Sequence, residues 1–169
     1  DGNGIFKSSI GDSYEGSWIN GMKHGKGKYE YVDGSEYDGG WENDQISGKG
    51  RFTFSNGSVC KGDFLNGKIN GEGIYDYANG DRHIGSFISG KRDGQGTCTY
   101  SNGDVYLGDW KDDQINGQGK YTYRNGNDYE GEFNMGVIQG QGTYVFKNGN
   151  IYIGEFKDGK RDGLGIFTY

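Results

Sequence analysis

Three sets of residues in this sequence have types and spacings that could do chemistry. Gly62–Lys68, Gly85–Lys91 and Gly154–Lys160 each read Gly-x-x-x-x-Gly-Lys, close to a loop whose backbone amides cradle phosphate. The next residue is Ile69, Arg92 or Arg161, where such a loop needs a hydroxyl for magnesium. No helical segment follows any of them, so no nucleotide site is expected. Cys60, His83 and Cys98 are metal-ligand types. A zinc site within one chain needs four converging donors. With the cysteines on strands three apart, about 14 Å separates them, too far for a disulfide. They read as small fillers in aromatic slots, with no metal expected. Asp63, Asp109, Glu132 and Glu155 form a row of carboxylates, but no apolar pocket splits their pKa values as a glycosidase pair requires. A solvated face is the simpler reading. The chain is expected to have no catalytic residue and no cofactor, and not to be an enzyme.

The elements that must position these residues follow from an unusual composition. Of 169 residues, 36 are Gly and none is Pro, while Leu, Ile, Val and Phe together number 30. An aliphatic core is therefore meagre. A net charge of only −6 and an aromatic content of 15% nonetheless oppose disorder. Collagen is excluded, because it needs proline and a three-residue period. The acidic pI of about 4.9 argues against a general nucleic-acid binder. No apolar run approaches the ~18 residues of a membrane span. Two cysteines are too few for a disulfide scaffold and point to a reducing, cytoplasmic setting. The sequon Asn56-Gly57-Ser58 reads as a turn.

Internal repetition accounts for the glycines. Tyr14, Tyr37, Cys60, His83, Tyr106, Tyr129 and Tyr152 recur every 23 residues with no insertion. Trp18, Trp41, Phe64, Phe87, Trp110, Phe133 and Phe156 form a second row. Tyr29, Phe52, Tyr75, Cys98, Tyr121, Tyr144 and Phe167 form a third, and Tyr31, Phe54, Tyr77, Tyr100, Tyr123, Phe146 and Tyr169 a fourth. Of the 36 glycines only Gly40 is out of register. Within each unit aromatic and glycine positions alternate with polar ones, the period of a strand. The pairs Asp33-Gly34, Asn56-Gly57, Asn79-Gly80, Asn102-Gly103, Asn125-Gly126 and Asn148-Gly149 are turn signals, both residue types tolerating φ > 0. A second, less regular connection carries Gly21, Gly67, Gly90, Gly136 or Gly159, with Asp44 and Asp113 in its place elsewhere. So much Gly defeats any helical reading, at about 1 kcal/mol per residue. The expected fold is all-β: an open, single-layer antiparallel hairpin solenoid of about 15 strands, elongated and twisted. Each glycine is expected to let a ring lie flat across its backbone. Gly16→Val or Gly131→Val should then destabilise the array, and Gly40→Ala should be nearly silent.

The pattern Tyr14-x-Gly16-x-Trp18-x-x-Gly21 with Gly25-x-Gly27 resembles the MORN (membrane occupation and recognition nexus) repeat. Tyr152-x-Gly154-x-Phe156-x-x-Gly159 with Gly163-x-Gly165 does so equally. The resemblance covers residues 1–169 as one array, with repeats starting at 14, 37, 60, 83, 106, 129 and 152 after a half repeat. It implies a twisted single-layer sheet used for assembly in cytoskeletal or membrane-associated structures.

Three surfaces are candidates for that role. The aromatic face offers Tyr14, Trp18, Tyr37, Trp41, Tyr106, Trp110 and Tyr129 as a groove for an extended peptide or a helix of a protein partner, if mutual packing does not consume the rings. Trp18, Trp41 and Trp110 are the rings expected to stay partly open. Lys23, His24, Lys26, Lys28, Lys49 and Arg51 form a basic cluster that would suit an acidic partner or a phosphoinositide, the alternative being a solvated face. The chain starts and stops within a repeat, which reads as a fragment of a longer protein. Phe6, Phe167 and Tyr169 are then end-contact candidates in a homodimer joined through open sheet edges. The leading expectation is a non-catalytic scaffold that binds protein. A membrane-lipid adaptor and a targeting module of a larger enzyme, such as a lipid kinase, are the alternatives.

Overall fold

A computed structural model describes residues 1–169. It holds fifteen strands and no helix: β1 (Gly2–Lys7), β2 (Ser13–Ile19), β3 (Met22–Glu30), β4 (Glu36–Glu42), β5 (Gln45–Thr53), β6 (Val59–Leu65), β7 (Lys68–Asp76), β8 (Arg82–Ile88), β9 (Lys91–Thr99), β10 (Val105–Lys111), β11 (Gln114–Thr122), β12 (Asp128–Asn134), β13 (Val137–Val145), β14 (Ile151–Lys157) and β15 (Lys160–Thr168). The strands follow one another in chain order in one open sheet. The expected hairpin array is observed. Packing divides the chain into two compact units, Asp1–Gly80 with Phe87–Gly90, and Asp81–Ser86 with Lys91–Tyr169.

The turn assignment needs correction. The tight two-residue hairpin is the less regular connection. Ile19 pairs with Met22 across Asn20 and Gly21, whose φ values of 50° and 76° both lie in the left-handed region. That is the turn whose twist suits a hairpin. The Asn-Gly pairs serve a wider turn in which only the glycine has positive φ. There the fourth-row residue organises the chain. Tyr31 donates its amide to the Ser35 carbonyl and accepts from the Gly34 amide, both at 2.9 Å, and Phe54, Tyr123 and Phe146 act alike. The sequon asparagine belongs to such a turn, its Oδ1 accepting from the Ser58 amide at 2.9 Å.

Each core is a layer of rings lying on glycine backbone. An added Cβ at Gly27 would meet Tyr14 Cζ at 2.5 Å, and one at Gly119 would meet Tyr106 Cζ at 2.6 Å. Each ring is pinned at its far end, where the hydroxyl donates to the carbonyl three residues on. The distances are 2.9 Å from Tyr14 to Ser17, 3.0 Å from Tyr106 to Asp109 and 3.1 Å from Tyr129 to Glu132. The second row closes edge-on against the first, with centroids 5.2 Å apart for Tyr129–Phe133 and 5.3 Å for Tyr106–Trp110, a favourable aromatic geometry. Where the first row lacks tyrosine, neighbours adapt. Beside Cys60, the Ile69 side chain reaches over Gly62 and Gly73. At His83 the imidazole itself covers Gly85 and Gly96. Cys60 and Cys98 are both free and buried.

Gly40 is not the indifferent position expected. An added Cβ would come closer than 3.0 Å to the Ser47 carbonyl oxygen. A backbone atom cannot swing aside as a side chain can, so Gly40 too is required by close approach.

Candidate functional site

The four aromatic rows differ in depth, and that difference locates the accessible surface. Tyr14, Tyr37, Tyr106 and Tyr129 are fully buried, and Trp41 and Trp110 nearly so at 5% and 4% exposure. Of the proposed groove residues only Trp18 is half-buried. Six of the seven are therefore core, because rings that lie on glycine pairs and cover one another have no free face. The third and fourth rows, at the ends of the strands, are half-exposed instead, except for buried Cys98 and fully exposed Tyr169. In the second unit they make a run of ring contacts. Tyr100–Tyr121, Tyr121–Tyr123, Tyr123–Tyr144, Tyr144–Phe146 and Phe146–Phe167 have centroids at 6.0, 4.6, 6.1, 4.7 and 5.6 Å. In the first unit Tyr29, Tyr31, Phe52, Phe54, Tyr75 and Tyr77 do the same.

Polar partners hold this ribbon. The Tyr29 hydroxyl donates to Asp12 Oδ2 and that of Tyr121 to Asp104 Oδ2, each at 2.9 Å. Burial, then the Asp12 hydrogen bond, pushes the Tyr29 hydroxyl up to about 12. Burial likewise raises the hydroxyls of Tyr31, Tyr100, Tyr121 and Tyr123. Beside it, Tyr123, Ile138, Tyr144, Phe146, Phe156 and Arg161 line an open cavity of about 520 Å3.

The residues flagged for chemistry have structural explanations. The three Gly-x-x-x-x-Gly-Lys segments run strand–turn–strand, with no helix to face a phosphate. Asp109 and Glu132 stand opposite the bulges of the neighbouring strands, Asn116–Gln118 and Gln139–Gln141, where the register shifts between Gly108 and Trp110 and between Gly131 and Phe133. A bulge frees one ladder amide. Asp109 Oδ2 accepts that of Gln118 at 2.8 Å and Glu132 Oε1 that of Gln141 at 3.3 Å, so these carboxylates cap backbone. Burial pushes the Cys60 thiol up to about 12 and raises that of Cys98, the opposite of an activated nucleophile. Burial, reinforced by the nearby Arg92 charge, holds His83 down to about 4.

A pairing that composition alone did not reveal joins the second position of a two-residue turn to the hairpin before it. Lys23 meets Asp44 at 3.4 Å and lies 5.4 Å from the Trp41 and Tyr29 ring centroids. Arg92 meets Asp113 at 3.2 Å with its guanidinium 4.1 Å from the Trp110 centroid. The two aspartates sit at φ 67° and 69° where other repeats have glycine. The signal was present in the sequence: Asp stands in the glycine slot where Lys or Arg stands 21 residues earlier.

The MORN repeat profile matches residues 14–36, 37–59, 60–82, 83–105, 106–128, 129–151 and 152–169. The chain belongs to the MORN repeat family. Comparison with curated proteins finds no match. Among solved structures, the SAS-4 (dCPAP) TCP domain of Drosophila melanogaster, in complex with a proline-rich motif of Ana2 (dSTIL), is 12% identical. The match covers 99% of this chain and 89% of that one, with a TM-score of 0.46. The wild-type TCP10 domain of Danio rerio CPAP, in complex with a STIL peptide, is 13% identical over 90% of this chain and 83% of that one, with a TM-score of 0.37. Neither likeness bears on what this MORN array binds.

The basic cluster does not survive as one patch. Lys23 points to the aromatic side of its MORN hairpin, while His24, Lys26 and Lys28 alternate onto the other face. Lys28 is claimed by Glu30 at 2.8 Å and Glu36 at 3.0 Å, which raises its pKa further. Across the strands Glu15, Lys28, Asp38 and Arg51 stand opposite one another in turn, and Lys49 faces Asp63. Signs alternate as far as Arg51, whose other neighbour is Lys61, so carboxylates interrupt the basic residues without neutralising all of them. In the second unit the same face carries exposed Leu107, Ile153 and Ile166, which the sequence pattern assigned to the polar side. Of the end-contact candidates, Phe6 and Tyr169 are exposed at 45% and 96%, while Phe167 is half-buried between Phe146 and Tyr169.

Proposed function

We propose that this MORN array is a non-catalytic adaptor whose aromatic face holds protein partners, in cytoskeletal or membrane-associated assemblies. The observation that carries this is the half-exposed ring ribbon of the second unit and the 520 Å3 cavity it borders. Tyrosine and arginine are the side chains that dominate protein interfaces, and here they line one concavity with little to lose in flexibility. The back face, a charge ladder in the first unit, offers no such concentration.

Affinity capture with paired variants tests the proposal. Tyr123→Ser with Phe146→Ser removes ribbon rings, and Leu107→Ser with Ile153→Ser alters the back face. With both proteins shown to be folded by thermal melting, partners should be lost from the ribbon variant and kept by the back-face variant. Capture that is indifferent to the ribbon rings would remove the proposal.

A further inference from the structure

In the second unit the face opposite the rings is built differently from that of the first. Leu107 and Ile153 each stand 54% exposed on it. Across the strands from β9 to β14 its middle row runs Thr97, Leu107, Lys120, Glu130, Thr143 and Ile153, each opposite the next. The one cation and the one carboxylate of the row sit at its centre, and threonine and aliphatic side chains lie outward on both sides. Such a row is complementary to itself read backwards. A two-fold axis along the strands, midway between β11 and β12, lays β11 on β12 of a second copy, β10 on its β13 and β9 on its β14. Lys120 then meets the second copy's Glu130, Leu107 its Thr143 and Thr97 its Ile153.

The flanking rows obey the same axis. On one side Val105 meets Val145 of the second copy and Thr122 meets Asp128. On the other, Gln118 meets Glu132 and Asp109 meets Gln141. Every carboxylate faces a cation, a hydroxyl or an amide, and none faces another carboxylate. Other placements lose this. Moving the axis by one strand sets Lys120 on Leu107 or on Ile153. Centring it on β11 or β12 stacks Lys120 on Lys120 or Glu130 on Glu130, and an axis across the strands at this row does both. Like charges set against each other are what interfaces avoid. Six strands at ~4.8 Å and seven residues at ~3.3 Å make a face of roughly 670 Å2 per copy, or about 1,300 Å2 in all. That is within the ~1,200–2,000 Å2 of specific interfaces. Facing sheets keep their strand directions within about 30°, which keeps row on row near the axis. We infer that the back face of the second unit is an interface between two copies of this chain, packed about a two-fold axis between β11 and β12. The aromatic faces of the two copies then point away from each other, and one dimer presents two ring ribbons.

The test is sedimentation velocity of the full chain over a concentration series. The unaltered protein should be a dimer that dissociates on dilution. Lys120→Glu sets carboxylate against carboxylate and Glu130→Lys sets ammonium against ammonium, each twice by symmetry. Either alone should weaken the dimer at least about tenfold, or about 1.4 kcal/mol. An equal mixture of the two single variants should associate again as a heterodimer, since each supplies the charge that the other lacks. The double variant should dimerise by itself. Both side chains are exposed, so thermal melting should show every variant folded. A chain that stays monomeric at about 100 µM overturns the inference and leaves this face to solvent or to another protein. A dimer indifferent to both reversals is joined elsewhere, as through the sheet edges, and overturns it too. So does a mixture of the single variants that remains monomeric. Neither reversal removes a ring, so capture by the ribbon should persist in both, and this inference and the proposed function fail separately.

Discussion

Gly119→Ala isolates the packing principle of this fold in one methyl group. Gly119 has no positive φ, so backbone strain does not enter. The added Cβ would lie 2.6 Å from Tyr106 Cζ and closer still to its hydroxyl. The ring must lift off the glycine pair. Tyr106 is fully buried and its hydroxyl donates to the Asp109 carbonyl at 3.0 Å. Losing most of that burial costs about 2 kcal/mol, and the hydrogen bond about 1 kcal/mol more. Removing a glycine from a strand returns about 0.5 kcal/mol. The expected loss is about 2.5 kcal/mol in guanidinium unfolding, with m unchanged. Tyr106→Cys, the residue type that Cys60 provides in this slot, should by itself cost about 3 kcal/mol by leaving a void. The two together should cost about 2 kcal/mol less than their sum, since the methyl then meets no ring and fills part of the void. Additivity within about 0.5 kcal/mol would refute the idea that this glycine exists to seat this ring.

Gly40→Ala should lower the melting temperature by several degrees, because its Cβ meets the Ser47 carbonyl; an unchanged melt would contradict the geometry. Met135 holds φ 47° at the first position of its two-residue turn, so Met135→Asn should stabilise by about 1 kcal/mol in the same unfolding assay. His83 titrates near 4 in the folded chain against about 6.5 unfolded, so the unfolded state takes up the proton first as pH falls. Its contribution is complete above pH 7 and is lost by up to about 1.4 kcal/mol per unit between pH 6.5 and 4. His83→Tyr should flatten the melting profile over that window, and equal slopes in the two proteins would exclude His83 as the cause.

Much of this architecture was legible because its determinants are local and periodic. A 23-residue repeat aligns every aromatic ring, period-two alternation assigns faces, and a glycine opposite a ring implies the ring rests on it. Depth was not legible. The first and third rows share one face, yet Tyr106 is core and Tyr121 half-exposed, because only the first row lies over glycine pairs and beneath the second-row rings. Turn type was misread for a related reason. Asn-Gly is the strongest short hairpin signal, but the fourth-row carbonyl accepts from the glycine amide and draws the turn wider, leaving the two-residue hairpin to Asn20-Gly21 and its equivalents. The basic cluster dissolved once cross-strand register placed Asp38 between Lys28 and Arg51.

The rows also explain how one repeat can conserve its core and still vary its surface. Burying the tyrosines on glycine backbone fixes the sheet using positions whose substitution the packing forbids. The third and fourth rows make fewer such demands, and the strand position shared by Lys23, Ile46, Ile69, Arg92, Ile115, Ile138 and Arg161 fewer still. At that position the chain alternates between aliphatic side chains, which join the core as Ile69 does, and cations seated on rings. A cation there attracts a carboxylate from whatever lies on the neighbouring strand's turn, as Asp44 and Asp113 demonstrate. One residue per hairpin therefore sets whether a repeat closes on its neighbour through apolar packing or through an ion pair.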